Sequence, residues 1–177
     1  MVILATNRNI NVLSSCTMWS VDGTFWCCPK LYYQTYTLHG LIGEKFVPLV
    51  YALMPNKKEE GYEELFQQLA RLMGGGLGRV TVVLDFEKAA MNSILQVLRV
   101  NRLLNCFFHW AQMVQRKIQN KFHWKARYCS DARFKESARL VVMLAFVPLD
   151  SLEKVNRQVF LHNPTQPPRS TTGFCFL

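Results

Sequence analysis

The sequence predicts an α/β (α+β) fold: a mixed sheet of five strands, the first three antiparallel, flanked by helices and followed by the start of a helical insertion. Three observations predict it. Residues 18–54 hold three apolar or alternating runs separated by Pro and Gly, the pattern of an antiparallel meander. From Tyr62 the apolar residues recur at spacings of three and four, which is the helical period. Beyond that helix, short apolar runs alternate with helical ones, and strands separated by helices run parallel.

Each element has its own signal. Residues 1–15 set Asn-rich polar stretches around short apolar patches and read as a short helix or irregular lead-in. Residues 18–27, rich in Trp, Val, Thr and Phe, read as the first strand, with Pro29 and Lys30 turning the chain. Residues 32–39 alternate Tyr, Gln or Thr with larger side chains, a half-buried second strand, and Gly40 and Gly43 mark the next turn. Residues 46–54 form an apolar run interrupted by Pro48. Proline has no N–H to give a ladder, so this third strand is placed at an edge.

Tyr62, Leu65, Phe66, Leu69 and Leu72 then form one helical face, with Glu59, Glu60, Glu63 and Glu64 near the start, where negative charge suits the helix dipole. Gly74, Gly75, Gly76 and Gly78 end that helix. They precede a strand and carry no Gly-Lys-Ser/Thr ending, so they read as a linker and not a phosphate cradle. Residues 80–84 are a fourth strand and 87–100 a helix with Ala90, Ile94, Leu95 and Leu98 on one side. Residues 103–108 are a fifth strand, and 109–122 a helix turning Trp110, Met113, Val114 and Ile118 inward. Hairpin strands pair with their neighbours, so the expected order is the RNase H-like one. It places the first and fourth strands side by side at the sheet centre. The expected organisation is a core over residues 1–120, the start of a helical insertion over 121–161 and a disordered Pro-, Ser- and Thr-rich tail over 162–177.

Half of the residues are hydrophobic and 19% are charged, enough apolar material for a core and too little charge for a disordered chain. The net charge of +9 is localised: residues 1–98 carry eight basic and eight acidic side chains, whereas residues 99–139 carry ten and two. Such a block attracts phosphate backbones without reading sequence, or is simply a solvated helix face. Within it Phe122, Trp124 and Tyr128 lie among Lys121, Lys125, Arg127 and Arg133, a pattern that suits base stacking or ordinary helix packing. Arg116, Lys117, Lys121, Lys125, Arg127 and Arg133 are the candidate DNA contacts. Six cysteines without a repeating framework, and no signal-peptide pattern, lead us to expect a reducing compartment and no secretion. No apolar run reaches the ~20 residues of a membrane span.

Asp22 and Asp85 are the chemical centre of this reading. Each follows or ends an apolar strand, and in the expected order they face one another. Adjacent carboxylates repel when ionised, and Mg²⁺ or Mn²⁺ relieves that repulsion. Such a pair can position two metals for phosphodiester cleavage or strand transfer. The bland alternative is that Asp22, before Gly23, belongs to a turn and that Asp85 caps the following helix.

The run Asp22-Gly23-Thr24-Phe25, Tyr32-Tyr33-Gln34, Leu38-His39-Gly40, residues 47–53 and Pro55-Asn56-Lys57 resembles the MULE (Mutator-like element) transposase domain. Asp85-Phe86-Glu87-Lys88-Ala89-Ala90 is similar to the block around that family's second catalytic aspartate, and Cys106-Phe107-Phe108-His109 to its Cys-x-x-His signature. The resemblance covers roughly residues 3–149. It implies a DDE-type transposase that cuts and joins DNA with divalent metal, Asp22 and Asp85 being the first two acids of the triad. DNA is then the partner, a homo-oligomer is compatible, no membrane is involved, and the location is nuclear if the source is eukaryotic and intracellular otherwise.

The resemblance breaks off before the third acid, which in the family follows the helical insertion, so the sequence reads as a copy truncated before it. Glu136 and Glu153 lie in helical patterns and read as surface charges. Cys106 and His109 admit three readings: support for the active-site region, a buried Cys beside a capping His, or half of a zinc site completed by His123 and Cys129. Besides the active transposase domain, two functional alternatives therefore stand, a catalytically inactive DNA-binding or protein-interaction module and a small zinc-binding structural protein.

Overall fold

A computed structural model of the chain describes residues 1–75, 80–98, 100–121 and 124–161. They form two compact units, Met1–His109 and a second from Trp110 onward. The tail expected over residues 162–177 lies outside the described residues, as do Gly76 and Gly78 of the linker.

The first unit contains β1 (Val2–Leu4), α1 (Asn7–Ser15), β2 (Met18–Thr24), β3 (Gln34–Ile42), β4 (Lys45–Met54), α2 (Glu59–Leu72), β5 (Thr81–Leu84), α3 (Lys88–Val97) and β6 (Arg102–Asn105). Its sheet has the order β1-β4-β3-β2-β5-β6. β1, β4, β3 and β2 pair antiparallel, whereas β2–β5 and β5–β6 are parallel. With β1 set aside, this is the RNase H-like order expected, on a mixed sheet.

Alternation along the strands buries one face. Trp19 and Val21, Tyr36 and Leu38, Ala52 and Met54, Val82 and Leu84 are all inside, together with Tyr62, Leu65, Phe66 and Leu69 of α2 and Ala90 and Ile94 of α3. Each fully buried large apolar side chain contributes roughly 1.5–3 kcal/mol, so this face anchors α2 far more strongly than its charges do. Gly74 and Gly75 end that helix at φ 77° and 99°, values that favour glycine, and the Gly75 N–H returns to the Ala70 carbonyl at 2.9 Å. The alternate residues of β2 and β3, including Ser20, Asp22, Thr37 and His39, are only partly buried.

Three expectations are corrected. The sheet has six strands and not five, because residues 2–4 of the lead-in pair with Leu53, Ala52 and Tyr51. Three residues are too short to show a period, and their pairing is a tertiary event. β4 is accordingly not the edge strand, although β1 covers only residues 51–53 of it and stops short of Pro48. The proline lies instead at a register shift: Leu38 pairs with Val50 and His39 with Pro48, which leaves Leu49 over. This bulge lets the consecutive Leu49 and Val50 both be buried. Finally, the fifth expected strand ends at Asn105, and Phe107 and Phe108 already belong to α4 (Phe107–Arg116). Their β-propensity is overridden by the helical spacing of Trp110 and Val114, which are buried.

The second unit is helical. The rest of α4 passes into a π-helical turn, Lys117–Lys121, followed by α5 (Lys125–Ser130), α6 (Ala132–Met143), a 3-10 turn (Leu144–Phe146) and α7 (Leu149–Leu161). Trp110, Val114, Ile118 and Ala138 form its core. The Trp110 indole N–H donates to the Val142 carbonyl at 2.9 Å. Asp131 caps α6 by accepting from the Phe134 N–H at 3.1 Å, and also accepts from Arg127 at 3.2 Å. That backbone bond first, with Arg127 adding to it, holds the Asp131 carboxyl below its usual range.

Candidate active site

The parallel register of β2 and β5 pairs Met18 with Thr81, Trp19 with Val82 and Ser20 with Val83. The pairing ends there; Asp22 and Asp85, the first residue past β5, each lie two residues further on, strand parity gives both the less buried face, and both act electrostatically on the Tyr36 hydroxyl. Neither bland role is seen. Asp22 lies inside β2 opposite Thr37, with Gly23 opposite Tyr36, so Asp22-Gly23 is no turn. The N-cap of α3 is Glu87, not Asp85. The Asp22 carboxylate accepts the Gly23 N–H at 2.8 Å, and Asp85 makes no hydrogen bond or ion pair with another described residue.

β6 brings the Cys-x-x-His segment to the same end of the sheet. The Cys106 N–H donates to the Leu84 carbonyl at 2.6 Å, next to Asp85. One turn later, His109 Nε2 stands 4.0 Å from Asp22 Oδ1. Its Nδ1 is buried without a hydrogen-bond partner among the described residues. Cys106 is half-buried and free.

Behind Asp85 lies a polar network that sequence reasoning missed. Glu87 accepts from the Tyr62 hydroxyl at 2.7 Å and from Lys57 Nζ at 3.1 Å, so both of its oxygens are engaged. Gln34 Nε2 donates to the Tyr62 oxygen at 2.7 Å. Burial pushes the Tyr62 hydroxyl far up. Tyr36 is likewise raised, by burial first and then by Tyr62, Asp85, Glu87 and Asp22. Its buried hydroxyl has no hydrogen-bond partner among the described residues. Gly23 is the space this arrangement needs: a Cβ there would lie 2.5 Å from Gln34 Oε1. A signal existed, since Gln34 shares its strand parity with the inward Tyr36 and Leu38.

The hard carboxylate oxygens of Asp22 and Asp85 suit Mg²⁺ or Mn²⁺. Among the described residues no three His, Cys, Asp or Glu side chains are gathered for a metal. Glu87 is committed to Tyr62 and Lys57, Glu136 is exposed on α6, and Glu153 on α7 pairs with Arg157. Of the zinc pattern, Cys106 and His109 lie in the first unit, His123 lies outside the described residues, and Cys129 is exposed on α5 of the second.

The basic candidates belong to the second unit. Arg116, Lys125 and Arg133 are exposed and Lys117 is half-buried. Arg127 is engaged by Asp131 and lies 4.7 Å from the Phe134 ring centroid. The side chain of Lys121 and the whole of Phe122 lie outside the described residues. Trp124 and Tyr128 pack against the helical core, the Trp124 ring meeting Phe134 edge-on at 5.3 Å. Of the two readings of these aromatics, that is helix packing.

A family model described as the MULE transposase domain matches residues 18–113, more than half of the chain. The matched segment begins at the first residue of β2 and contains Asp22, Asp85, Cys106 and His109. No curated protein matches the chain. Among the described residues no helix is long and apolar enough to cross a membrane.

Proposed function

Since the chain belongs to the MULE transposase domain family, we propose that its first unit is the core of a DDE-type transposase, acting on DNA by metal-dependent cleavage and strand transfer. The observation that supports this most is the parallel pairing of β2 with β5, which brings the strand ends that carry Asp22 and Asp85 to one end of the sheet, with Asp22 inside a strand and Asp85 not the cap of α3. Asp22 and Asp85 would hold Mg²⁺ or Mn²⁺. When bound, the metal supplies Lewis-acid activation of the attacking oxygen and neutralises charge at the scissile phosphate. His109 positions Asp22, and Lys57 and Tyr62, through Glu87, position the turn that carries Asp85. The exposed Arg116, Lys125 and Arg133 give phosphate contacts, which orient DNA without reading its sequence. In a eukaryotic source the site of action is the nucleus.

A second reading is a catalytically inactive DNA-binding or protein-interaction module derived from such a transposase. One observation favours it: no third acid joins Asp22 and Asp85 among the described residues. Titration of Mn²⁺ and Mg²⁺ into the chain and into Asp22→Asn and Asp85→Asn separates the two. Binding that either substitution removes supports the enzyme and justifies nuclease and strand-transfer assays. Equal binding by all three proteins leaves the inactive module.

A further inference from the structure

Beyond β2 the chain makes two successive tight turns before rejoining the sheet. The Cys28 N–H donates to the Phe25 carbonyl at 3.2 Å and the Tyr32 N–H to the Pro29 carbonyl at 2.9 Å, and the Tyr33 N–H then reaches the Met54 carbonyl at 2.8 Å. The base of this loop is pinned. Phe25 meets Tyr33 edge-on with ring centroids 5.7 Å apart, and Lys57 Nζ lies 4.6 Å from the Phe25 centroid. The same Lys57 holds Glu87 behind Asp85, so the loop and the Asp85 turn share one anchor.

On this base Trp26 stands 100% exposed. Exposure of a whole indole is the reverse of its usual place. Trp19 and Trp110 are buried, and Trp124 packs on a core. Trp26 follows Asp22 by four residues, so its backbone lies within about 14 Å of Asp22. At 3.4 Å per nucleotide that is on the order of four nucleotides. The loop over residues 25–33 also carries the exposed Lys30 and no acidic residue. An open π-face and an exposed cation four residues on in the same loop, within chain reach of Asp22, match the two halves of a single-strand contact. A base inside a duplex offers no free face, so the ligand is an unpaired nucleobase at a strand end, flap or extruded position.

We propose that Trp26 stacks on an unpaired base of the DNA strand engaged at Asp22 and Asp85, with Lys30 at an adjoining phosphate. The placement of that strand rests on the transposase reading above; the stacking itself needs no metal.

The test is anisotropy titration, in EDTA, of labelled forked DNA with a short unpaired end and of blunt duplex of matched sequence. The full chain is compared with its Trp26→Ala and Trp26→Tyr variants. Trp26→Ala weakens forked DNA roughly tenfold or more and blunt duplex less than twofold, and Trp26→Tyr restores most of the loss. Equal losses on both DNAs, no loss on forked DNA, or no forked preference in the unsubstituted chain overturns the proposal. So does a dimer, seen by sedimentation, that Trp26→Ala dissolves without changing the forked preference, because Trp26 would then cover a second copy. Failure of the transposase reading looks different: Mn²⁺ binding is absent, or unchanged in Asp22→Asn, while Trp26-dependent discrimination of forked DNA persists.

Discussion

His109 Nε2 stands 4.0 Å from Asp22 Oδ1, although 87 positions separate the two in the chain (109 − 22). On the transposase reading the contact gives the Cys-x-x-His segment a role in holding Asp22: the strand before it pairs with β5, and the first turn of α4 brings the imidazole to the carboxylate of β2. A residue that orients a metal-binding carboxylate is commonly worth about tenfold in metal affinity. His109→Ala is predicted to weaken Mn²⁺ binding by about that factor in calorimetric titration while circular dichroism stays unchanged. Unaltered affinity would remove His109 from the site.

Asp22→Asn and Asp85→Asn should separate metal binding from folding. Asp22 lies inside β2 and Asp85 does not cap α3, and the amide keeps an oxygen for the Gly23 N–H, so either substitution changes metal-free stability by no more than about 0.5 kcal/mol. Thermal unfolding with and without Mn²⁺ checks this. The stabilisation added by Mn²⁺ vanishes in both variants, and a large loss of metal-free stability would mean that the acids are structural.

Gly23→Ala should destabilise the first unit. The new Cβ would meet Gln34 Oε1 at 2.5 Å, and Gln34 cannot give way because it is fully buried and its Nε2 is held by Tyr62. Overpacking of this kind costs about 1–3 kcal/mol. Urea unfolding of Gly23→Ala, alone and combined with Gln34→Ala, measures it, and the double variant should lose less than the sum of the singles.

Tyr62→Phe removes the hydroxyl shared by Gln34 and Glu87 and leaves buried groups short of a partner, at a cost of about 1–3 kcal/mol. The loss is read in denaturant midpoints. Coupling to Glu87→Gln in a double-mutant cycle tests whether the network acts as a unit, and strict additivity would show that it does not.

Asp131 has its pKa lowered in the folded chain, so its stabilisation is fully present above the unfolded value, ~3.9, and is lost as pH falls through the folded value. Asp131→Ala should therefore lower the unfolding temperature of the helical unit at pH 7, with the difference shrinking once the pH falls below ~3.9. A gap that persists in strong acid would assign the effect to something other than the charged cap.

What could be read early is what local pattern controls. The alternation in β2, β3 and β5 and the three-four spacing in α2 are properties of neighbouring residues, and they carry the strand order and thereby the placement of Asp22 and Asp85 at one end of adjacent strands. β1 escaped because three residues carry no period. The aromatic pair Phe107-Phe108 has strand propensity, yet the burial of Trp110 and Val114 at helical spacing places it in α4.

The sequence by itself determined the fold class and the order of the central strands, because hydrophobic period and connection length leave few topologies, and its resemblance to the family singled out Asp22 and Asp85 as candidates. Tertiary structure alone decided which polar groups meet: His109 over Asp22, Lys57 and Tyr62 on Glu87, and Gln34 in the space left by Gly23. These contacts join residues far apart in the chain and depend on side-chain reach of a few ångströms, which periodicity does not encode. It also left Trp26 in solvent while burying Trp19 and Trp110, since burial depends on what the finished fold can cover and not on the residue's hydrophobicity.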